Sequence, residues 1–142
     1  MGTVRIIDLI ELHDSVAELR REGDSVVIDL KPAYVRHWEH RGAGWTGTGR
    51  SQSARIAIGS RTEVSVPFAP REVSAGSIHV GGNQLDLIPA PLNETGDVRA
   101  QLDFVDGSSV TIDGTGVVIE LFGAAADIEA LPPDWAPAVD PL

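Results

Sequence analysis

Four consecutive residues, His37-Trp38-Glu39-His40, have the clearest potential for chemistry. Two histidines three apart, with a carboxylate between them, could supply metal ligands if the segment turns helically, and His13, Asp14 or His79 could complete the shell. The run has no distant matching pair and lacks the HExxH spacing of zinc proteases, so it reads equally as solvated polar residues. No metal or other cofactor is expected. His13-Asp14 invites a catalytic reading, with the carboxylate orienting the imidazole. Neighbours on a strand point to opposite faces, however, and the chain has neither a cysteine nor a G-x-S-x-G elbow to act as nucleophile. Asp14 is expected to bond a turn backbone and His13 to be partly buried, with no catalytic activity in the protein itself. Gly42-Ala43-Gly44-Trp45-Thr46-Gly47 matches G-x-G-x-x-G in form only. No apolar strand leads in, no helix is expected to follow, and Trp45 would crowd a pyrophosphate. With Gly49 the run reads as a mobile surface loop.

These residues share a window whose charge is opposite to that of the rest of the chain. Lys31, Arg36, Arg41, Arg50, Arg55 and Arg61 face a single acid there, Glu39, whereas no Lys or Arg follows Arg99. The window also holds Tyr34, Trp38 and Trp45. Basic residues beside aromatics are the usual anchors of an interface, which makes Tyr34, Arg36, Trp38, Arg41, Trp45 and Arg50 the expected binding residues. If 31–38 is extended, Tyr34 and Trp38 lie on one face with Arg36 between them. The same aromatics could instead cap the core or form a platform for a sugar. Trp38, flanked by charge on both sides, is expected to be exposed or half-exposed.

The whole chain carries a net charge of −10. Phosphates would be repelled at long range, which argues against nucleic acid, including single strands stacked on the aromatics. Such a charge keeps a protein soluble or steers it onto a basic partner. The run from Asp97 to Asp140 reads as solvated strand faces and turns, or as a negative surface for a cationic partner. Having no cysteine suits a reducing compartment. Asp8 and Glu11 interrupt the first apolar run, so neither a signal peptide nor a membrane span is read there, and a cytoplasmic location is expected. Ile6 stands where myristoylation needs Ser or Thr, and the Asn93-Glu94-Thr95 sequon carries no meaning without a secretory route.

A length of 142 residues fits one domain, 1–142, able to bury roughly two-thirds of its unfolded surface. Leu9, Leu12, Val16 and Leu19 have helical spacing, and Ser15-x-x-Glu18 imitates a capping box. The competing reading is a hairpin, with Val16 to Glu22 as one strand, Gly23-Asp24 as the turn, and Ser25 to Leu30 as the return. From Ala54 onward the period is two. Ile56 to Ile58 and Glu63 to Val66 read as strands. Ser77 to Val80 and Gln84 to Ile88 form a hairpin about Gly81-Gly82-Asn83. Val98 to Val105 and Ser109 to Asp113 form another about Asp106-Gly107, with Leu102 and Phe104 on one side. Asp113 to Gly116 links this to a strand over Val117 to Phe122. Ala124 to Leu131 is expected to make a helical turn or two. Residues 132–142 form an extended Pro-rich tail that Trp135 packs down.

Leu12-His13-Asp14-Ser15 followed by a hairpin resembles a group of small bacterial β-domains in which an L-H-D or F-H-D step precedes the first hairpin. The likeness extends to Lys31-Pro32-Ala33-Tyr34-Val35, Gly76 to Gly82, Leu87 to Leu92 and Val110 to Gly114. Some F-H-D domains are identified as immunity proteins, the inhibitors of secreted bacterial toxins. The resemblance implies the hairpin over residues 16–30 and carries no catalytic residue across.

The expected fold is therefore all-β, a single-domain, mostly antiparallel β-sandwich or partly open barrel with at most short helical segments. The expected role is protein binding, most concretely as an immunity-type inhibitor that occludes a cationic toxin. Either the acidic C-terminal half covers the toxin, or the 31–61 segment inserts Arg36, Trp38 and Arg41 into a cleft. The alternatives are a carbohydrate- or small-molecule-binding module using Tyr34, Trp38 and Trp45, and a metal-dependent enzyme using His37 and His40.

Overall fold

Between Asp8 and Gly23 the chain forms strands, not a helix: β1 (Arg5–Glu11) and β2 (Val16–Glu22). Ala17 and Leu19 are buried and alternate with the more exposed Glu18 and Arg20, a period-two pattern hidden among the helix-spaced leucines. The hairpin reading holds, with β2 and β3 in register from Glu22↔Ser25 to Ala17↔Leu30. Gly23 supplies the positive φ of the turn.

The computed structural model describes residues 4–42, 44–60 and 68–137. The remaining strands are β3 (Ser25–Arg41), β4 (Gly44–Gly59), β5 (Phe68–Val80), β6 (Asn83–Leu85), β7 (Leu87–Ala90), β8 (Leu92–Phe104) and β9 (Ser109–Ala130). Every pairing is antiparallel. They make one sheet that partly closes on itself. The path β2-β5-β8-β9-β4-β3 returns to β2, β1 and β7 extend from β3, and β6 pairs with β5. This is the barrel reading, with no second stacked sheet among the described residues. The ring is filled by Leu19, Ile28, Leu30, Ile56, Ile58, Ile78, Leu102, Phe104, Ile112 and Ile119, and the side toward β1 and β7 by Ile10, Val35 and Ile88. Leu102 and Phe104 face the core together, as expected.

Closure depends on β3, which changes partner midway. Ser25–Leu30 pairs with β2, whereas Tyr34–His40 pairs with β1. Its other edge stays on β4, with one register shift between Leu30 and Ala33. The cis Lys31–Pro32 peptide lies at the changeover. Ser15, fully buried at the corner between β1 and β2, ties the junction together. Its hydroxyl donates to the Glu11 carbonyl at 2.9 Å and accepts from the Tyr34 N–H at 3.1 Å. Its carbonyl accepts from the Val73 N–H of β5 at 2.8 Å.

Four sequence readings are corrected. Residues 44–49 are not a free loop: β3 and β4 continue into a long hairpin whose pairing runs to Arg41↔Gly44. Asp113 to Gly116 is not a linker but the interior of β9, opposite the bulged β8 segment between Glu94 and Asp97. Ala124 to Ala130 continues β9 as a strand because β4 offers it an unpaired backbone edge; Ala130 pairs with Thr48. The tail contains a 3₁₀ turn at Pro133–Trp135 rather than extended chain there. The strand read over Glu63 to Val66 lies outside the described residues, as do Arg61 and the end of the tail.

Replacing Ser15 by Ala removes the acceptor of the part-buried Tyr34 N–H. Urea unfolding of Ser15→Ala is expected to show a lower midpoint at unchanged slope, a loss of about 1–3 kcal/mol.

Candidate functional site

The β3–β4 hairpin carries most of the residues singled out from the sequence, and strand alternation divides them between its two faces. Tyr34, Arg36, Trp38, His40 and Trp45 share one face; Arg41 and Arg50 lie on the other with His37 and Glu39.

On the first face Trp38 is fully buried, against expectation. The reason is the glycines of β4. Gly47 is the cross-strand partner of Trp38, and a Cβ there would overlap the indole ring; at Gly49 it would overlap the Tyr34 ring. The glycine run therefore makes two seats for aromatic rings. The chain's C-terminal part crosses the same face. The Leu131 N–H donates to the Gly47 carbonyl at 3.0 Å, and Leu131 is buried. Tyr34 donates its hydroxyl hydrogen to Glu129 at 2.5 Å. Burial, then the Glu129 hydrogen bond and charge, raise the Tyr34 phenol to about 12. Arg36 donates to both carboxylate oxygens of Glu11, at 3.3 and 3.4 Å, and stacks on Trp135, whose ring centroid is 4.7 Å away. Trp135 thus packs the tail down, as expected, while staying half-exposed. His40 meets the edge of Trp45 at the hairpin tip. With Trp38 enclosed and Tyr34 engaged, these aromatics form no open platform for a sugar.

The opposite face opens into a cleft of about 470 Å³ lined by Asp8, His37, Arg50, Gln52 and Glu120, with Ala90, Pro91, Leu121 and Ala125 as apolar wall. His37 is cross-strand from Asp8 and donates Nδ1–H to it at 2.6 Å; its Nε2 lies 3.4 Å from Glu39. Both ring nitrogens face carboxylates rather than a hydroxyl, so the pair braces the wall and lacks the geometry of a proton relay. Glu39 is held below the usual carboxylate range chiefly by the hydrogen bond from Arg41. An extended β3 also puts His40 on the far face, so His37 and His40 cannot share a metal. Among the described residues no three His, Asp or Glu side chains are disposed to hold a metal ion. His13 and Asp14 do approach, at 3.2 Å, because Asp14 adopts a positive φ in the corner turn and breaks the strand alternation. Both are exposed, which corrects the expectation that His13 is partly buried.

The cations of the basic window are matched by acids, most of them from other strands. Lys31 pairs with Glu18, Arg36 with Glu11, Arg41 with Glu39, Arg50 with Asp127 and Arg55 with Asp29, all within 3.3 Å. Asp29 is buried between Arg55 and Arg20. Burial opposes its ionisation, but the two guanidiniums outweigh this and hold its carboxyl below the usual range. On β5 to β8 the balance is different. Arg71 pairs with Asp106 and Arg99 with Asp113. Glu72, Asp86, Glu94, Asp97 and Asp103 have no cation partner among the described residues, and all but the half-buried Asp103 are exposed. Sequence reading missed Asp8, Glu11, Asp29, Asp127 and Glu129 as partners. Only Asp29 carried a local signal, a charge inside the apolar run Val26 to Leu30.

No family model, no curated protein and no solved structure matches this chain.

Two outcomes follow from the hairpin's packing. Gly47→Ala is expected to cost about 1–3 kcal/mol by forcing Trp38 aside. Gly44→Ala, which meets open space, is expected to be neutral or stabilising by up to about 1 kcal/mol. Denaturant midpoints of the two variants separate close packing from a general need for glycine. Tyr34 is the sole tyrosine, so its phenolate absorbance reports one group. The expected midpoint is about 12, with a fall toward the ordinary tyrosine value in Glu129→Gln. Because the folded-state pKa is raised, this contribution to stability is complete below the unfolded value near 10 and is lost as pH rises toward 12.

Proposed function

We propose that this protein is a non-catalytic, protein-binding β-domain whose partner is basic, with an immunity-type inhibitor that occludes a cationic toxin as its most concrete form. The observation that carries this reading is the uneven cancellation of charge. The cations of the 31–60 hairpin are each engaged by an acid of the same chain, whereas Glu72, Asp86, Glu94, Asp97 and Asp103 on β5–β8 have no cation of their own. Of the two modes of occlusion, the acidic face is thus favoured over insertion of the hairpin. Uncompensated carboxylates spread along β5–β8 steer a cationic surface toward that side and make capture fast and salt-dependent. The likeness of the L-H-D corner and the following hairpin to small bacterial β-domains, some of them predicted immunity proteins, supports the same reading.

The test is capture from the source organism's lysate on immobilised protein at low and moderate salt, read by mass spectrometry. A stoichiometric basic protein is expected. It should be released by salt, weakened by about tenfold or more in Glu94→Gln/Asp97→Asn/Asp103→Asn, and retained by Arg41→Ala/Arg50→Ala. Loss of the captured protein's own activity in the complex is the mark of an inhibitor. An acidic or salt-insensitive partner, equal capture by the triple variant, or no partner at all would sink the reading.

A further inference from the structure

The core reaches the surface at one end of the ring, where the β5–β6 hairpin meets the start of β8. A cleft of about 380 Å³ lies there, lined by Val80, Gly81, Asn83, Leu85, Pro89, Leu92, Glu94 and Thr95. Val80, Leu85 and Leu92 are half-buried and pack on the core. The rim is held by the backbone: Val80 pairs with Asn83 across the turn and with Val98 of β8, and the Gly81 N–H donates to the Asp97 carbonyl at 3.0 Å. The site is thus preformed and rigid.

Glu94 is the sole ionisable group lining this cleft. It has no cation partner among the described residues. Other large clefts among the described residues are lined differently, and the one that holds Asp86 and Asp103 has no large apolar side chain in its wall. In the one of about 470 Å³ Glu120 also has no cation partner, but it shares the cleft with the Arg50 guanidinium, which would repel an incoming cation, and with the Asp8–His37 pair. The one of about 410 Å³ contains the Arg99–Asp113 pair. The one of about 420 Å³ has Asp24 but no apolar side chain in its wall.

We infer that the Val80–Leu85–Leu92 cleft receives one long cationic side chain, a lysine or arginine of the partner, with its aliphatic stem on the apolar wall and its charged head at Glu94. Long basic side chains combine these two surfaces, burying the stem while the head stays at a polar rim. An uncharged apolar group would bring no partner for the Glu94 carboxylate. The identity of the natural occupant rests on the basic-partner reading above; the recognition chemistry of the cleft does not.

The test is a methyl and amide NMR titration of the full, isotope-labelled chain with three small probes. These are the Nα-acetyl methylamides of lysine, arginine and norleucine, the last having a lysine-like stem without the charge. Saturable shifts of the Val80, Leu85 and Leu92 methyls are expected with the lysine or the arginine compound, on the order of millimolar affinity, and at least about fivefold weaker with norleucine. Glu94→Gln should remove that preference while leaving distant resonances in place, and Asp24→Asn, in another cleft, should retain it. No response at these methyls, equal response to norleucine, or an undiminished response in Glu94→Gln overturns the inference. Failure here with a basic partner still captured rejects the cleft alone; a positive titration with no captured partner rejects the partner reading and leaves the cleft standing.

Discussion

A strand that serves two neighbours in succession must hand over its backbone hydrogen bonds without leaving any of them buried and unmet, and the closure of this fold depends on β3 doing so. On one side of Leu30–Ala33 its free edge belongs to β2, and on the other to β1. A buried, unpaired peptide group costs about as much as a lost hydrogen bond, so the gap between the two ladders has to be filled. Ser15 fills it with its hydroxyl and, through its carbonyl, fastens the same corner to β5. One polar side chain thus connects the ring-forming part of the sheet to the β1–β7 extension. The L-H-D-S corner then has a mechanical meaning: Asp14 turns the chain with a positive φ, Leu12 enters the core, and Ser15 closes the ladder.

The hairpin beyond the junction is organised by a different constraint, the space above a glycine. Trp38 and Tyr34 lie over Gly47 and Gly49, where side chains on β4 would exclude them. The rings restore the apolar surface that those glycines lack, and the segment from Glu129 to Trp135 then covers them. Long strands rich in glycine are prone to register slippage; here the seated rings and the C-terminal crossing pin the register. The aromatic residues of the basic window are therefore packing elements, and the arginines among them act through paired acids and a stacked indole.

Charge follows from this packing. Net charge is a property of the whole chain, but what a partner meets is the part left uncancelled at the surface. Folding brings Glu11, Glu18, Asp29 and Asp127 against cations of β3 and β4, so the described cations of the basic window are paired within the chain. The carboxylates of β5 to β8 remain, beside a preformed apolar cleft. Exposed ion pairs of this kind add little stability; their consequence lies in which surface keeps a field.

The all-β class, the turns at Gly23-Asp24, Gly81-Gly82 and Asp106-Gly107, and the inward placement of Leu102 and Phe104 are legible in the chain, because period-two alternation and turn chemistry are local signals. The strand expected over Gln84 to Ile88 instead breaks at Asp86, and Leu87–Ala90 leaves β5 to pair with β1. The barrel was read only as one of two options, since alternation shows that a face is buried without showing what buries it. Residues 124–131 suggest a helical turn or two, because nothing local announces that β4 will offer them a pairing edge. The candidate site was less legible still. Tyr34 and Glu129 are 95 residues apart, and Arg50 and Asp127 are 77 apart. Whether a charged or aromatic side chain is free depends on partners brought to it by register and crossing, and those are decided by the closure of the whole sheet. The sequence by itself determined strands, turns and a total charge; the tertiary structure alone decided which aromatics are enclosed, which cations are cancelled and which carboxylates face outward.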